Sequence, residues 1–419
     1  MHYPRFADSL LNDALEDSPV ILIHGPRQCG KTTLARAAGE KRGYHYISFD
    51  DDNQLQAART DPVGFVQSLP EKVILDEVQR VPSLFTSLKA EVDKQRQPGR
   101  FVLTGSANVL LLPALADSLA GRMEVIRLRP LARCEMAGQE PDLLQRLFEA
   151  DLSGAGGDHR RRLGETLPKL ICQGGYPSAI ARRSEKRRNN WYRDYGHALI
   201  QRDIQDLARI RNLGSLPKLL TLSAGQTARL FNASELASPF SLSRPTIREY
   251  LTLLEQIFLI EPLEPWHNNR LSRLVKTPKL HLADTGLACA LLGIGSHDLW
   301  RDKALLGQML ETFVYQELRK QADWHEEEPH FYHYRDKDKL EVDIIIEQGR
   351  QLAGIEIKAA GTVTQSDFKG LKRLQDASRE RFAAGVLFYD GDTILPFGER
   401  LFAVPISVLA PDGHAADKG

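Results

Sequence analysis

The sequence predicts an α/β protein of more than one domain, and three observations carry that expectation. Residues 20–23 form a short apolar run that leads into a glycine-bearing loop and then a helical stretch. Apolar runs at 72–75 and 100–103 follow, spaced as strands alternating with helices. A second pair of strand signals, at 339–346 and 352–358, comes much later in the chain. At 419 residues the chain is too long for one ordinary core, so two or three domains are expected.

The first run, VILI, reads as a buried strand. It is followed by His24-Gly25-Pro26-Arg27-Gln28-Cys29-Gly30-Lys31-Thr32-Thr33, which fits the spacing GxxxxGK[ST] in a strand–loop–helix context. Gly25 and Gly30 let the backbone curl, so that N–H groups and the helix N-terminus face a phosphate. Gly25, Arg27, Gln28, Cys29, Gly30, Lys31, Thr32 and Thr33 therefore form the expected ATP-binding loop. Lys31 is expected to reach the β- and γ-phosphates, and the Thr32 hydroxyl to hold Mg²⁺. A chance glycine loop is the alternative, but a matching element follows. The run at 72–75 ends in Asp76 and Glu77. Asp76 suits Mg²⁺ binding through water, and Glu77 suits polarisation of the attacking water. A solvated helix-cap carboxylate is the ordinary alternative for Glu77.

The third run ends in Thr104-Gly105-Ser106-Ala107-Asn108. Ser106 and Asn108 are candidates to sense the γ-phosphate, with a simple turn as the alternative. Leu119-Ala120-Gly121-Arg122 then precedes a strand-like segment at 123–128. Arg122 fits an arginine finger that reaches a neighbouring subunit's nucleotide, and equally a local salt bridge.

The order of these elements resembles the AAA-type ATPases. More narrowly, it resembles bacterial and archaeal ATPases that carry a C-terminal domain of unknown function. The likeness rests on Leu-Asp-Glu-x-Gln at 75–79, Leu-Thr-Gly-Ser at 103–106 and Leu-Ala-Gly-Arg at 119–122, and it extends over nearly the whole chain. It implies an AAA-type P-loop ATPase domain over 1–135 and a helical linker region over 136–225. A winged helix-turn-helix over 226–270, an α/β restriction-endonuclease-like domain over 271–405 and a disordered tail over 406–419 would follow. A homo-oligomer is expected.

In the middle of the chain, residues 136–162 read as a short helix and then a glycine-bearing mobile loop. A helix is expected over 188–208. Tyr195 and Arg202-Asp203-Ile204 match a Tyr-to-Arg-Asp-Ile helix of the resembled family. Ahead of it, Arg182, Arg183, Lys186, Arg187 and Arg188 form a basic run. Such a run suits phosphate backbones but is more often a solvated face. Over 232–263, Ser243 reads as the N-cap of a helix with Pro245 in its first turn, and 258–260 as a strand. In a DNA binder Arg244, Thr246 and Arg248 would face a groove; the alternative use is domain packing.

The second chemical constellation lies at 339–358. Asp343 sits near the start of one strand, and Glu356 and Lys358 share a face of the next. Two carboxylates and a lysine around one point suit Mg²⁺, or Mn²⁺, and phosphodiester chemistry. The pattern resembles the PD-(D/E)xK nucleases. That resemblance implies Glu311 as a further acidic residue from an upstream helix, although Val342 stands where the motif name has proline. The alternative is a pair of sheet-edge carboxylates in a salt bridge with Lys358. Asp284 reads as a helix N-cap, and the spacing of His325, His330 and His333 fits no zinc pattern.

Acidic and basic residues balance at 55 each, so net charge names no partner. The N-terminus carries no apolar signal core, and the four cysteines form no CxxC pair. A cytoplasmic protein with no membrane partner is expected. Two functions follow: an ATPase coupled to Mg²⁺-dependent cleavage or remodelling of nucleic acid, DNA more than RNA, or an ATPase switch whose C-terminal part only binds DNA or a partner protein.

Overall fold

The computed structural model describes residues 3–106, 119, 121–157, 160–207, 214–240, 242–267, 277–325, 327–336 and 340–411. Asn108, Ala208 and residues 412–419 of the expected tail lie outside these described residues.

Strands β1 (Val20–His24), β2 (His45–Ser48), β3 (Val73–Asp76), β4 (Phe101–Gly105) and β5 (Met123–Arg127) form a parallel sheet ordered β2-β3-β4-β1-β5. A parallel sheet needs crossovers on its faces, and its inner strands are apolar on both sides. β1, β3 and β4 are buried along their whole length. Two apolar clusters, one around Leu22, Leu75 and Phe85 and one around Ile21, Ile23 and Leu34, cover the two faces. Because β4 lies between β1 and β3, the carboxyl ends of all three strands open onto one crevice.

The middle of the chain begins with the helix Glu185–Leu207. The helices Ser215–Gly225, Ala233–Ala237 and Arg244–Gln256 follow. Strands β6 (Arg229–Leu230), β7 (Ile260–Leu263) and β8 (Lys279–Leu282) form an antiparallel sheet ordered β6-β8-β7. Ser243 caps Arg244–Gln256 by accepting from Thr246 N–H at 3.3 Å, and Pro245 fills the first turn. The strand expected at 258–260 starts only at Ile260, because Phe258 turns the chain with φ of 59°.

The last sheet comprises β9 (His330–Arg335), β10 (Glu341–Gln348), β11 (Gln351–Lys358), β12 (Phe382–Tyr389), β13 (Leu395–Gly398) and β14 (Leu401–Pro405), ordered β13-β14-β12-β11-β10-β9. β10 and β11 form an antiparallel hairpin, while β11, β12 and β14 run parallel. Side chains alternate across it as a strand requires. Ile344 and Ile346 enter one core with Leu143, Leu147 and Leu310, and Ile345 enters the other with Leu371 and Leu374.

The expected divisions at 225, 270 and 405 do not break the packing. One apolar core runs from Leu143 to Ala410. Within 136–162 the helix Leu143–Glu149 buries three leucines in that core. Asp390 then holds the chain beyond by accepting from Leu163 N–H at 2.7 Å. The first part of the expected tail is ordered as well, since Ile406 and Leu409 are buried. Both segments carry apolar residues that the core accepts, which outweighs the glycines of the first. Among the described residues no helix is long and apolar enough to cross a membrane.

The ATPase-side sheet meets the rest of the chain through buried charge. Arg129, just past β5, gives two bonds to Glu261 of β7, at 2.7 and 2.9 Å, and one to Asp323 at 2.8 Å. Arg319 of the helix Lys303–Ala322 also reaches Glu261, at 3.1 Å. Burial alone would raise the Glu261 carboxyl, yet Arg129, Arg319 and Arg127 hold it well below the usual range. Removing one partner of such a cluster strands the others. Glu261→Ala is therefore expected to cost about 3–5 kcal/mol of stability in urea denaturation and to split one unfolding transition into two.

Candidate functional site

The crevice above β1, β3 and β4 holds a cavity of about 960 Å³, lined by residues 27–33, Asp76 and Glu77. Gly25 is required at its base. A Cβ there would lie 2.0 Å from the Leu128 carbonyl oxygen, and the backbone has φ of 155°. Gly30 takes φ of 109° as the loop enters the helix Lys31–Glu40. The Lys31 ammonium is buried and donates to the Gly25 and Pro26 carbonyls, each at 2.9 Å. Cys29 is buried below, its thiol 3.2 Å from the Leu128 carbonyl.

Asp76 gathers hydroxyls. Thr32 donates to its Oδ1 at 2.9 Å, Tyr46 to its Oδ2 at 2.7 Å, and Thr104 also donates to Oδ1. Glu77 is held in the left-handed region at φ of 61°, a conformation uncommon outside glycine that often marks a functional position. Its Oε2 accepts from Ser106 Oγ at 2.9 Å, from Gln79 Nε2, and from an Arg27 N–H at 3.4 Å. Ser106 is thus in contact with Glu77, beyond merely forming a turn.

The Arg27 side chain does not stay within the loop. Its Nε donates to both Asp203 oxygens, at 2.9 and 3.0 Å. Burial alone would lower the guanidinium, but Glu77 and Asp203 raise it above its ordinary value. Burial pushes the Asp203 carboxyl up to about 6, against the pull of Arg27. Asp203 belongs to Glu185–Leu207, and the same helix makes two more contacts here. Tyr195 OH donates to the Arg27 carbonyl at 2.9 Å, and Arg202 reaches Asp50 at 2.9 Å. From the N-terminal side Arg5 donates to the Cys29 carbonyl at 2.7 Å.

The residues here fit ATP with Mg²⁺. The Thr32 and Asp76 oxygens lie side by side at the mouth of a loop whose amides and lysine suit phosphate, and Glu77 stands beside them. Arg122 is not part of this crevice. It precedes β5, at the opposite end of a parallel sheet from the P-loop, and is bidentate to Asp93 at 2.6 and 3.1 Å. That geometry gives the local salt bridge and rules out a role on the chain's own nucleotide.

The second constellation differs from the expectation. Asp343 and Glu356 come together across the β10–β11 hairpin in direct hydrogen-bonding contact, and Asp343 also accepts from Ile357 N–H at 3.0 Å. Glu311 joins them from the helix Lys303–Ala322. Lys358 does not. It lies at the exposed end of β11, where its ammonium pairs with Asp367 of the following turn. The cation in the cluster is Lys279 of β8, only 2% exposed, at 2.7 Å from Glu311, 2.6 Å from Glu341 and 3.5 Å from Asp343. Four carboxylates gather here, three of them in contact with the one ammonium, and leave surplus negative charge in a part-buried place. Burial, with Asp343 nearby, accordingly pushes Glu311 up to about 8 despite Lys279. Burial, with the Glu341 charge, also raises Asp343, and burial, with the Asp343 charge, raises Glu356, while Lys279 holds Glu341 down against its burial.

Among the described residues no three His, Cys, Asp or Glu side chains are arranged to hold a metal ion. Mg²⁺ or Mn²⁺ at Asp343 and Glu356 therefore does not fit this cluster as it stands, because an internal cation already engages it.

Residues 17–137 match the family described as AAA domain. Residues 164–298 match a domain of unknown function (DUF8612), and residues 306–409 another (DUF4143). The chain is thus an AAA-type P-loop ATPase domain joined to a C-terminal domain of unknown function. It is 29% identical over 412 residues to the uncharacterized proteins Mb2031c of Mycobacterium bovis and Rv2008c of Mycobacterium tuberculosis, covering 98% of this chain and 85% of each of them. Among solved structures, the Walker-type ATPase paby2304 of Pyrococcus abyssi aligns with a TM-score of 0.42 at 17% identity, covering 69% of this chain and 96% of that one.

Sequence reasoning gave no role to Arg5, Tyr46, Thr104, Asp203 or Lys279. Asp203 carried a signal, as an acidic residue in a motif-like helix. Lys279 carried a weaker one, a lysine opening a short strand in which leucines alternate with it and His281. Arg5 carried none.

Two outcomes follow from this geometry. Glu77→Gln should retain ATP binding and lose about a hundredfold or more in kcat, whereas Lys31→Ala should lose tight binding, as steady-state turnover and nucleotide titration would reveal. In thermal and urea unfolding, Lys279→Met should cost about 3 kcal/mol, because it leaves part-buried carboxylates without their cation, and Lys358→Ala no more than about 1 kcal/mol.

Proposed function

We propose that the protein is an ATP-hydrolysing switch, in which the P-loop site turns over ATP and the helix Glu185–Leu207 passes its state to the C-terminal part. One observation carries this reading: Arg27 of the phosphate loop is shared between Glu77, the water-polarising residue, and Asp203 of that helix. Lys31 and the loop amides bind the phosphates, Glu77 orients the attacking water, and Thr32 with Asp76 holds Mg²⁺. When bound, that ion supplies charge neutralisation at the phosphate oxygens.

A phosphate is a strong bidentate partner for a guanidinium, so it competes with Asp203 and Glu77 for Arg27. Asp203 gives up its arginine at reduced cost, since burial already pushes its carboxyl up to about 6. Release of Arg27 both frees Glu77 and loosens the helix from the loop.

The C-terminal part is read as a binding module for nucleic acid, DNA more than RNA, rather than a cutting one. In support, Arg244 and Arg248 are exposed on the helix Arg244–Gln256, within a succession of helices and antiparallel strands that suits a winged helix. Arg182, Arg183, Lys186 and Arg187 are exposed at the start of Glu185–Leu207. A homo-oligomer would let Arg122 reach a neighbour's nucleotide.

Hydrogen exchange of the full-length protein, with and without a non-hydrolysable ATP analogue, tests this reading. Faster exchange in residues 185–207 on adding the analogue is expected in wild type and not in Arg27→Ala. No change in wild type, despite bound analogue, would sink it. Asp203→Asn adds a pH check. The folded value of Asp203 lies above its ordinary one, so the native state takes up this proton first. The group then lowers unfolding free energy as pH rises from about 4 to about 6. The variant is expected to lack that decline.

A further inference from the structure

We propose that Lys279 stands permanently in place of a divalent cation in the Glu311–Glu341–Asp343–Glu356 cluster, so that the last domain takes no metal and the cluster acts as an ionic clamp. The inference concerns a different site from the P-loop and does not depend on the ATPase reading.

Three features make the lysine a fixture rather than a passing neighbour. The first is anchorage. Lys279 opens β8, the central strand of its sheet, and its backbone is paired on both sides, with Leu230 of β6 and Leu263 of β7. Its strand neighbour on the same face, His281, is also locked. The imidazole is stacked on Tyr315 at 4.4 Å, and its Nδ1 lies 3.1 Å from Thr312 Oγ1. The second is burial, since the side chain is 2% exposed against 42% for Lys358. The third is charge. The two shortest ammonium–carboxylate contacts, 2.6 and 2.7 Å, are those of charge-assisted hydrogen bonds, and a third carboxylate stands at 3.5 Å.

A divalent ion would need the same oxygens at roughly 2.0–2.6 Å, with no ammonium among them. Two cations in one part-buried cluster repel each other, and the covalently tethered one is not lost by dilution. The origin of Lys279 explains why the chain would adopt this arrangement. β8 belongs to the three-stranded sheet of the middle region, whereas Glu341, Asp343 and Glu356 belong to β10 and β11, and Glu311 to the helix Lys303–Ala322. The ammonium therefore ties the middle region to the last sheet, which a metal bound only by the last domain would not do.

The test is Mn²⁺ binding, followed by electron paramagnetic resonance and calorimetry on nucleotide-free, full-length protein. An Asp76→Asn background silences the P-loop. The parent is expected to bind no Mn²⁺ through the cluster. Adding Lys279→Met should create a site, tightening Mn²⁺ binding about tenfold or more, and Asp343→Asn on top should abolish the gain. Stoichiometric binding by the parent that disappears with Asp343→Asn would overturn the proposal, and so would a folded Lys279→Met protein that gains no site. Where circular dichroism shows that Lys279→Met does not fold, the parent and its Asp343→Asn variant decide the matter. Cluster-dependent binding refutes the substitution, and its absence supports it.

Discussion

The arrangement of this chain depends on Arg129. Its guanidinium is buried where three parts meet: the end of the P-loop sheet, strand β7 and the helix Lys303–Ala322. Its bonds to Glu261 and Asp323 are made only when all three are in place. Its carbonyl accepts from Arg5, which also holds the P-loop at Cys29 and pairs with Glu135. A few residues on, Glu317 accepts from Arg133 N–H at 2.7 Å and pairs with Lys320. A buried charge of this kind adds little net stability over an apolar contact. What it adds is register, because only one docking of the two bodies leaves no charge alone.

The same logic recurs at both candidate sites. At the P-loop, Arg27 answers Glu77 and Asp203; at the last sheet, Lys279 of β8 answers Glu311, Glu341 and Asp343. The difference lies in what can compete. Arg27 borders an open cavity of a size to admit a nucleotide, so an incoming phosphate can take its place in the pairing. Lys279 is 2% exposed and pinned by two strands, so its pairing is constitutive. One basic residue is poised to move and the other is not, although each sits among acidic groups.

Much of the first site was legible because its chemistry is local. The residues 24–33 are contiguous, and Asp76-Glu77 announces itself as a carboxylate pair closing an apolar strand. The N-caps at Ser243 and Asp284 were legible for the same reason, each being a short-range hydrogen bond within one turn. The second site was half legible. Alternation along β10 and β11 correctly brings Asp343 and Glu356 together, but it cannot say that Lys358, at the strand end, turns to Asp367. Nor can it say that β8, over sixty residues earlier than Asp343, delivers the cation. The ordered segments at 143–157 and 406–410 were missed in a different way. The glycine and polar content of the first reads as loop and the second adjoins a polar tail, and only the tertiary core gives their leucines and isoleucine somewhere to go.

The helix Lys303–Ala322 connects these places. Glu311 sits in the Lys279 cluster, and Gln316, Glu317, Arg319 and Lys320 face the ATPase-side joint along the same rigid element. If nucleotide binding moved this helix, it would have to break buried charges at both ends together, a cost well beyond what one displaced phosphate contact offers. The helix Glu185–Leu207 is held to the P-loop by fewer groups, and one of them is the arginine for which phosphate competes. Of these two helices, Glu185–Leu207 is therefore the one the proposed switch would use to pass nucleotide state at affordable free energy, with Lys303–Ala322 as its frame.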